Sequence, residues 1–157
     1  MSGSRPRRFD SPQQEVYLSL WRTYDRLRML EDKLFSQHDL TAQQYNALRL
    51  LKAEYPATLP TLALASRLVS HNPDITRLLD RLAERGLVVR ERMTDNRRVV
   101  QVGITESGLA LLKELETPVR QCHQMQLGHL SSGQLKSLVD LLRASRQPHE
   151  EAESPWR

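Results

Sequence analysis

Apolar residues recur along this chain with a helical period almost throughout. Between Pro12 and Ser36, Tyr17, Leu20, Tyr24, Leu27 and Leu34 step by three, four or seven, which predicts a long helix of heptad character. Thr41 and Gln44 have the spacing of a capping box, in which each side chain accepts the other residue's unpaired backbone N–H. That box opens a second helix, which carries Tyr45, Leu48 and Leu51 inward and ends before Pro56. A short third helix follows over about 61–68, entered through Pro60. The fourth is expected to start at Pro73 and to stop at Gly86, a residue suited to the left-handed turn that ends helices. Thr105 caps a fifth helix reaching to about Leu127, with Pro118 inside it as an expected kink. Ser131 and Gln134 repeat the capping-box spacing and open a last helix to about Arg146.

One stretch departs from this period. Leu87–Met93 and Val99–Ile104 are rich in β-branched residues and flank the turn Thr94-Asp95-Asn96-Arg97, so they predict a hairpin. A helix, a tight turn and a hairpin whose loop carries Arg97 and Arg98 make a winged helix-turn-helix, a device that sets a helix into the major groove of double-stranded DNA. The fold class is therefore mainly α with a small β-hairpin wing: a winged helix-turn-helix with a helical dimerisation region. On the fourth helix, Ile75, Leu78, Leu79 and Leu82 form one apolar stripe. Arg77 and Glu84 lie opposite it, flanked by Asp80 and Arg81. By itself that charged face reads as solvated surface; followed by a hairpin bearing two arginines, it reads as a DNA-facing one.

Composition narrows the picture further. The 157 residues carry a formal net charge of +4, with 19 Arg against 4 Lys. Arg is the better fork for phosphates and guanine edges. No apolar run approaches the roughly 20 residues of a membrane span, the basic N-terminus lacks a following apolar segment, and Cys122 is the only cysteine. These features point to a cytoplasmic protein. The expected organisation is a flexible basic arm at 1–11, a single domain at 12–146 and a disordered tail at 147–157. Within the domain, 41–104 is the DNA-binding lobe, and 12–36 and 106–146 are dimerisation helices. Leu109, Leu112, Leu115 and Val119, then Leu135, Leu138, Leu141 and Leu142, are more apolar surface than the lobe can cover, so a twofold partner is expected.

The segments LTAQQYNALRLL, LASRLV, DITRLLDRLAERGLVVRERMTDNRRVVQVGITESGLALL and LSSGQLKSLVDLL resemble, in order and spacing, the MarR family of bacterial transcription regulators. The resemblance spans about residues 13–146. Its most specific marks are Thr76-Arg77-Leu78, Asp80-Arg81-Leu82, Gly86-Leu87-Val88, Asp95-x-Arg97 and Ile104-Thr105-x-x-Gly108. It implies a homodimer with interleaved first, fifth and sixth helices on a palindromic operator, and repression relieved by a small, often phenolic ligand or an oxidant. It also implies that Thr76, Arg77 and Arg81 belong to the recognition helix and that Arg97 reaches the minor groove, with Arg98 beside it.

Two features depart from the family pattern. Asn72-Pro73-Asp74 stands where many members carry small hydroxyl residues. Asn72 and Asp74 are thus candidate base contacts of altered preference, Asp74 also suiting the positive end of the helix dipole. The first helix has no cysteine for peroxide sensing, and Cys122 reads as a buried structural thiol. Tyr17, Trp21, Tyr24 and Tyr45 are candidates to stack on an aromatic effector, although aromatic residues on helix stripes more often belong to a core. The five histidines are scattered, and no metal-ligand or phosphate-loop motif is present, so neither cofactor nor catalysis is expected. The rival function is a dimeric helical module working through protein–protein contact with no operator of its own.

Overall fold

The computed structural model describes residues 8–71 and 74–157. Most of the expected arm, together with Asn72 and Pro73, lies outside the described residues. The elements in chain order are α1 (Pro12–Ser36), α2 (Ala42–Glu54), β1 (Leu59–Pro60), α3 (Thr61–Arg67), α4 (Ile75–Glu84), β2 (Val88–Arg92), β3 (Val100–Ile104), α5 (Glu106–Leu127) and α6 (Ser132–Arg146). A 3-10 turn follows at Gln147–His149.

Local side chains set most of these boundaries. Ser11 accepts the Gln14 N–H and starts α1, and reciprocal capping boxes start α2 at Thr41 and α6 at Ser131. Thr105 starts α5 by accepting the Gly108 N–H, while its hydroxyl donates to the Gly86 carbonyl at 2.6 Å. Gly86, at φ +70°, makes the left-handed turn after α4 that few side chains tolerate. Gly108 is held for another reason: a Cβ there would lie 2.5 Å from the Leu87 carbonyl oxygen and 2.6 Å from Ile104.

The core is one cluster. Leu48 and Leu51 of α2, Leu64 of α3, Leu79 and Leu82 of α4, and Val102 of β3 are essentially inaccessible, joined by Phe35 from α1 and Leu115 from α5. This is where helical periodicity put the apolar stripes.

Three expectations need correction. The sheet has three antiparallel strands in the order β1-β3-β2, not two. Leu59 pairs with Val102 and Pro60 with Gln101, and Thr61 locks the junction by donating its hydroxyl to the Val100 carbonyl. A two-residue edge strand has no periodicity of its own, and proline is tolerated there because the edge N–H is not needed. The tail at 147–157 is ordered, not disordered. The Arg146 Nε–H donates to the Trp156 carbonyl and its guanidinium lies 5.8 Å from the Trp156 ring centroid, while Ser154 bonds Glu150. Finally, α4 starts at Ile75 behind an Asp74 cap, two residues later than Pro73 suggested.

Candidate nucleic-acid interface

The buried stripe of α4 decides which residues face outward. Leu78, Leu79 and Leu82 are buried and Ile75 half-buried, leaving Thr76, Arg77, Arg81 and Glu84 exposed. The guanidiniums of Arg77 and Arg81 make no ion pair or hydrogen bond among the described residues. Asp74 accepts the Arg77 backbone N–H at 3.1 Å, so its carboxylate is engaged as the helix cap. This is the position at which a carboxylate suits the positive end of the helix dipole.

Two charged side chains anchor α4. Asp80, expected only on the polar face, pairs with Arg90 of β2 at 2.6 Å and ties the helix to the wing. Arg85 directs its fork at two successive backbone carbonyls of the α1–α2 corner, Asp39 at 2.7 Å and His38 at 3.3 Å. Both bonds join residues 46 and 47 positions apart, so no local pattern could have announced them.

The wing tip is closed by backbone and side chain together. The Met93 N–H donates to the Val99 carbonyl and the Val99 N–H to the Asn96 carbonyl, each at 3.0 Å. The Asn96 side chain accepts the Arg98 N–H at 3.2 Å, the local turn chemistry asparagine favours. Asp95 makes no hydrogen bond or ion pair in this turn among the described residues; Asn96 braces it instead. Arg97 and Arg98 are exposed, their guanidiniums unpaired among the described residues.

A cleft of about 960 Å³ opens between α1 and α2. Tyr24, Arg28, Glu31, Tyr45, Arg49 and His123 are among its lining residues. Tyr45, Arg49 and His123 also border a cavity of about 570 Å³ on the other side, against α5 and Leu135 of α6. Tyr45 is stacked on buried Phe35 at 4.7 Å between centroids. Of the four aromatic candidates, Tyr24 and Tyr45 come together in the cleft. Tyr17 and Trp21 do not: they stand 65% and 63% exposed on α1, edge to face with each other. His123, not among the candidates, is held from behind. Buried Gln126 donates its amide to the Leu27 carbonyl, which leaves its oxygen to accept from His123 Nδ1 at 2.9 Å. Burial pushes the Glu31 carboxyl and the Tyr45 hydroxyl above their ordinary pKa values, partly offset by His123 for Glu31 and by Arg49 for Tyr45. Burial likewise raises the Cys122 thiol, which fits a structural rather than reactive cysteine.

Among the described residues no helix is long and apolar enough to cross a membrane, and no three His, Cys, Asp or Glu side chains gather as a metal site requires. The MarR family model matches residues 40–100. A MarR transcription factor from Planctomyces limnophilus is 56% identical, over 87% of this chain and 99% of that one, with a TM-score of 0.69. A MarR family regulator from Streptomyces coelicolor, solved in complex with DNA, is 20% identical and superposes over 98% of each chain at a TM-score of 0.83. The homoprotocatechuate degradative operon repressor of Escherichia coli is 28% identical over 109 residues, 69% of this chain and 72% of that protein. With these residues on a winged helix-turn-helix, the chain belongs to the MarR family of transcription regulators.

Proposed function

We propose that this regulator is a sequence-specific repressor that binds a palindromic operator as a homodimer and is released when a small aromatic effector occupies the cleft beside α2. The observation that carries the DNA reading is the set of exposed guanidiniums without protein partners: Arg77 and Arg81 on α4, and Arg97 and Arg98 on the wing. Solvated and unpaired, these guanidiniums are available to bind a polyanion and release its counterions. Arg77, in the first turn of α4, is in the part of a recognition helix that meets base edges, where a bidentate guanine contact discriminates by about 1–3 kcal/mol. Thr76 supports the same edge, beside the Asp74 cap. Arg97 and Arg98 suit a narrow minor groove. The E. coli relative is by name an operon repressor, which favours repression over activation.

Residues 41–104 form the DNA-binding lobe in this reading, and 12–36 and 106–146 the dimerisation helices. Support for the dimer comes from α6, which has no buried residue, and from the exposed Tyr17 and Trp21 on α1. Apolar surface of this extent on terminal helices calls for a second copy. The effector reading leans on Tyr24 and Tyr45 as ring-stacking walls, with Arg49 and His123 as polar anchors; Tyr17 and Trp21 are assigned to the dimer instead.

The test is Arg97→Ala on a duplex selected from a random pool by the unaltered protein. Loss of about tenfold or more in affinity, with the dimer mass unchanged, is expected for a wing that reaches DNA. Unchanged affinity would leave the protein–protein module as the better account.

A further inference from the structure

At the end of β2, opposite the wing arginines, stands a third one that neither the helical wheel nor the turn pattern singles out. Arg92 donates from Nη1 to the backbone carbonyl of Arg97 at 2.9 Å. Its Cα partner in the sheet is Val100, so the root of this side chain is fixed in the last rung of the ladder while its tip reaches forward over the loop. The rest of the tip is held by the two backbone bonds at 3.0 Å and by the Asn96 side chain. Of these, the Arg92 bond is the one made directly to Arg97, the residue assigned to the minor groove.

We propose that Arg92 is a positioning residue for DNA binding, acting through Arg97 rather than by touching DNA. The chemistry is that of a strut. A carbonyl hydrogen-bonded by a guanidinium fixes the Arg97–Arg98 peptide plane, and with it the direction in which both side chains leave the loop. Without that bond the tip keeps its closure through Met93, Asn96 and Val99 but loses the link between the Arg97 backbone and the rigid end of the sheet. The ordering cost of the wing then falls on the moment of binding, which weakens the complex without removing a contact. Bonding to the carbonyl also occupies part of the Arg92 fork, whereas Arg97 and Arg98 keep theirs free.

This inference rests on the wing reaching DNA, and a double-mutant cycle separates the two. Affinity for the selected duplex is measured for Arg92→Ala, Arg97→Ala, the double variant and Arg92→Lys, with dimer mass and thermal unfolding as controls on folding. Arg92→Ala is expected to weaken binding about three- to tenfold, the scale of one hydrogen bond. The double variant should lose less than the sum of the two single losses, because with Arg97 truncated Arg92 has only Arg98 left to position. Arg92→Lys, which retains a charged donor, should stay within about twofold of the unaltered protein. Losses that add in the double variant would overturn the proposal, since Arg92 would then contribute through its own contact. An unaltered affinity for Arg92→Ala would overturn it as well. If Arg97→Ala itself changes nothing, the wing reading falls first and Arg92 with it.

Discussion

The lobe and the outer helices α1 and α6 of the frame use their apolar side chains in opposite ways. In the lobe, α2, α3, α4 and β3 turn Leu48, Leu51, Leu64, Leu79, Leu82 and Val102 into a shared interior from which solvent is excluded. In the frame, α6 buries none of its residues, and α1 buries Phe35 while leaving Val16, Tyr17, Trp21 and Tyr24 more than half exposed. Both regions show helical periodicity of similar quality in sequence. The difference teaches that an amphipathic stripe says a face must be covered but not by what: the lobe covers its own, while α1 and α6 leave theirs open, the face that the proposed dimer would cover.

The largest effect expected from this contrast lies in the lobe. Leu79→Ala removes a side chain that is 1% exposed from the junction of α4 with the core, and should cost about 2–5 kcal/mol in denaturant unfolding at fixed protein concentration. A cost below about 1 kcal/mol would mean the lobe interior is looser than its burial implies. On the frame, Leu141→Asp introduces a charge on the outer face of α6, where Leu141 is 66% exposed. It should weaken self-association at least tenfold by sedimentation, since an unpaired carboxylate in a closed interface is strongly disfavoured, while far-ultraviolet circular dichroism stays that of a folded helical protein. An undisturbed dimer would move the interface off α6.

The smallest effect concerns the cleft between frame and lobe, which Glu31 of α1 and His123 of α5 line together with Tyr45 of α2. Because burial raises the folded pKa of Glu31 above its ordinary 4.5, the folded state holds this proton more tightly than the unfolded chain. The stabilisation is complete below the ordinary carboxylate value and is lost as pH rises through the raised one. Glu31→Gln should therefore match the unaltered protein in melting temperature near pH 4 and exceed it slightly at pH 8. An equal difference at both pH values would show that the carboxyl is not desolvated.

What could be read in advance follows from the range of the forces involved. The Thr41–Gln44 and Ser131–Gln134 boxes act within four residues, so the starts of α2 and α6 were legible to the residue. Gly86 likewise announced the end of α4. The exposed positions of Arg77, Arg81 and Glu84 followed from the angular spacing of Leu78, Leu79 and Leu82, whereas Thr76 came only with the family resemblance. Hidden from sequence were the features made by distant partners. The β1 strand exists only because Leu59 meets Val102, Arg85 acts on a corner 46 positions away, and the His123 clamp ends on Leu27. Trp156 belongs to the same group, since a short polar tail gives no periodic sign that its last aromatic folds back onto Arg146. The split among Tyr17, Trp21, Tyr24 and Tyr45 was hidden too: one helix face carries the α1 aromatics, and only the neighbouring α2 decides which of them borders a cleft.

The most direct test is a titration of the protein, as rising salt is added, against its best duplex from a random pool and against a scrambled duplex of the same composition. A dimeric, sequence-specific repressor gives a palindromic consensus, binds it at least ~10³-fold more tightly than the scrambled control, and loses affinity steeply with salt as arginine–phosphate contacts release counterions. Equal, weak binding to both duplexes would contradict it, leaving a winged helix-turn-helix whose exposed arginines serve another partner.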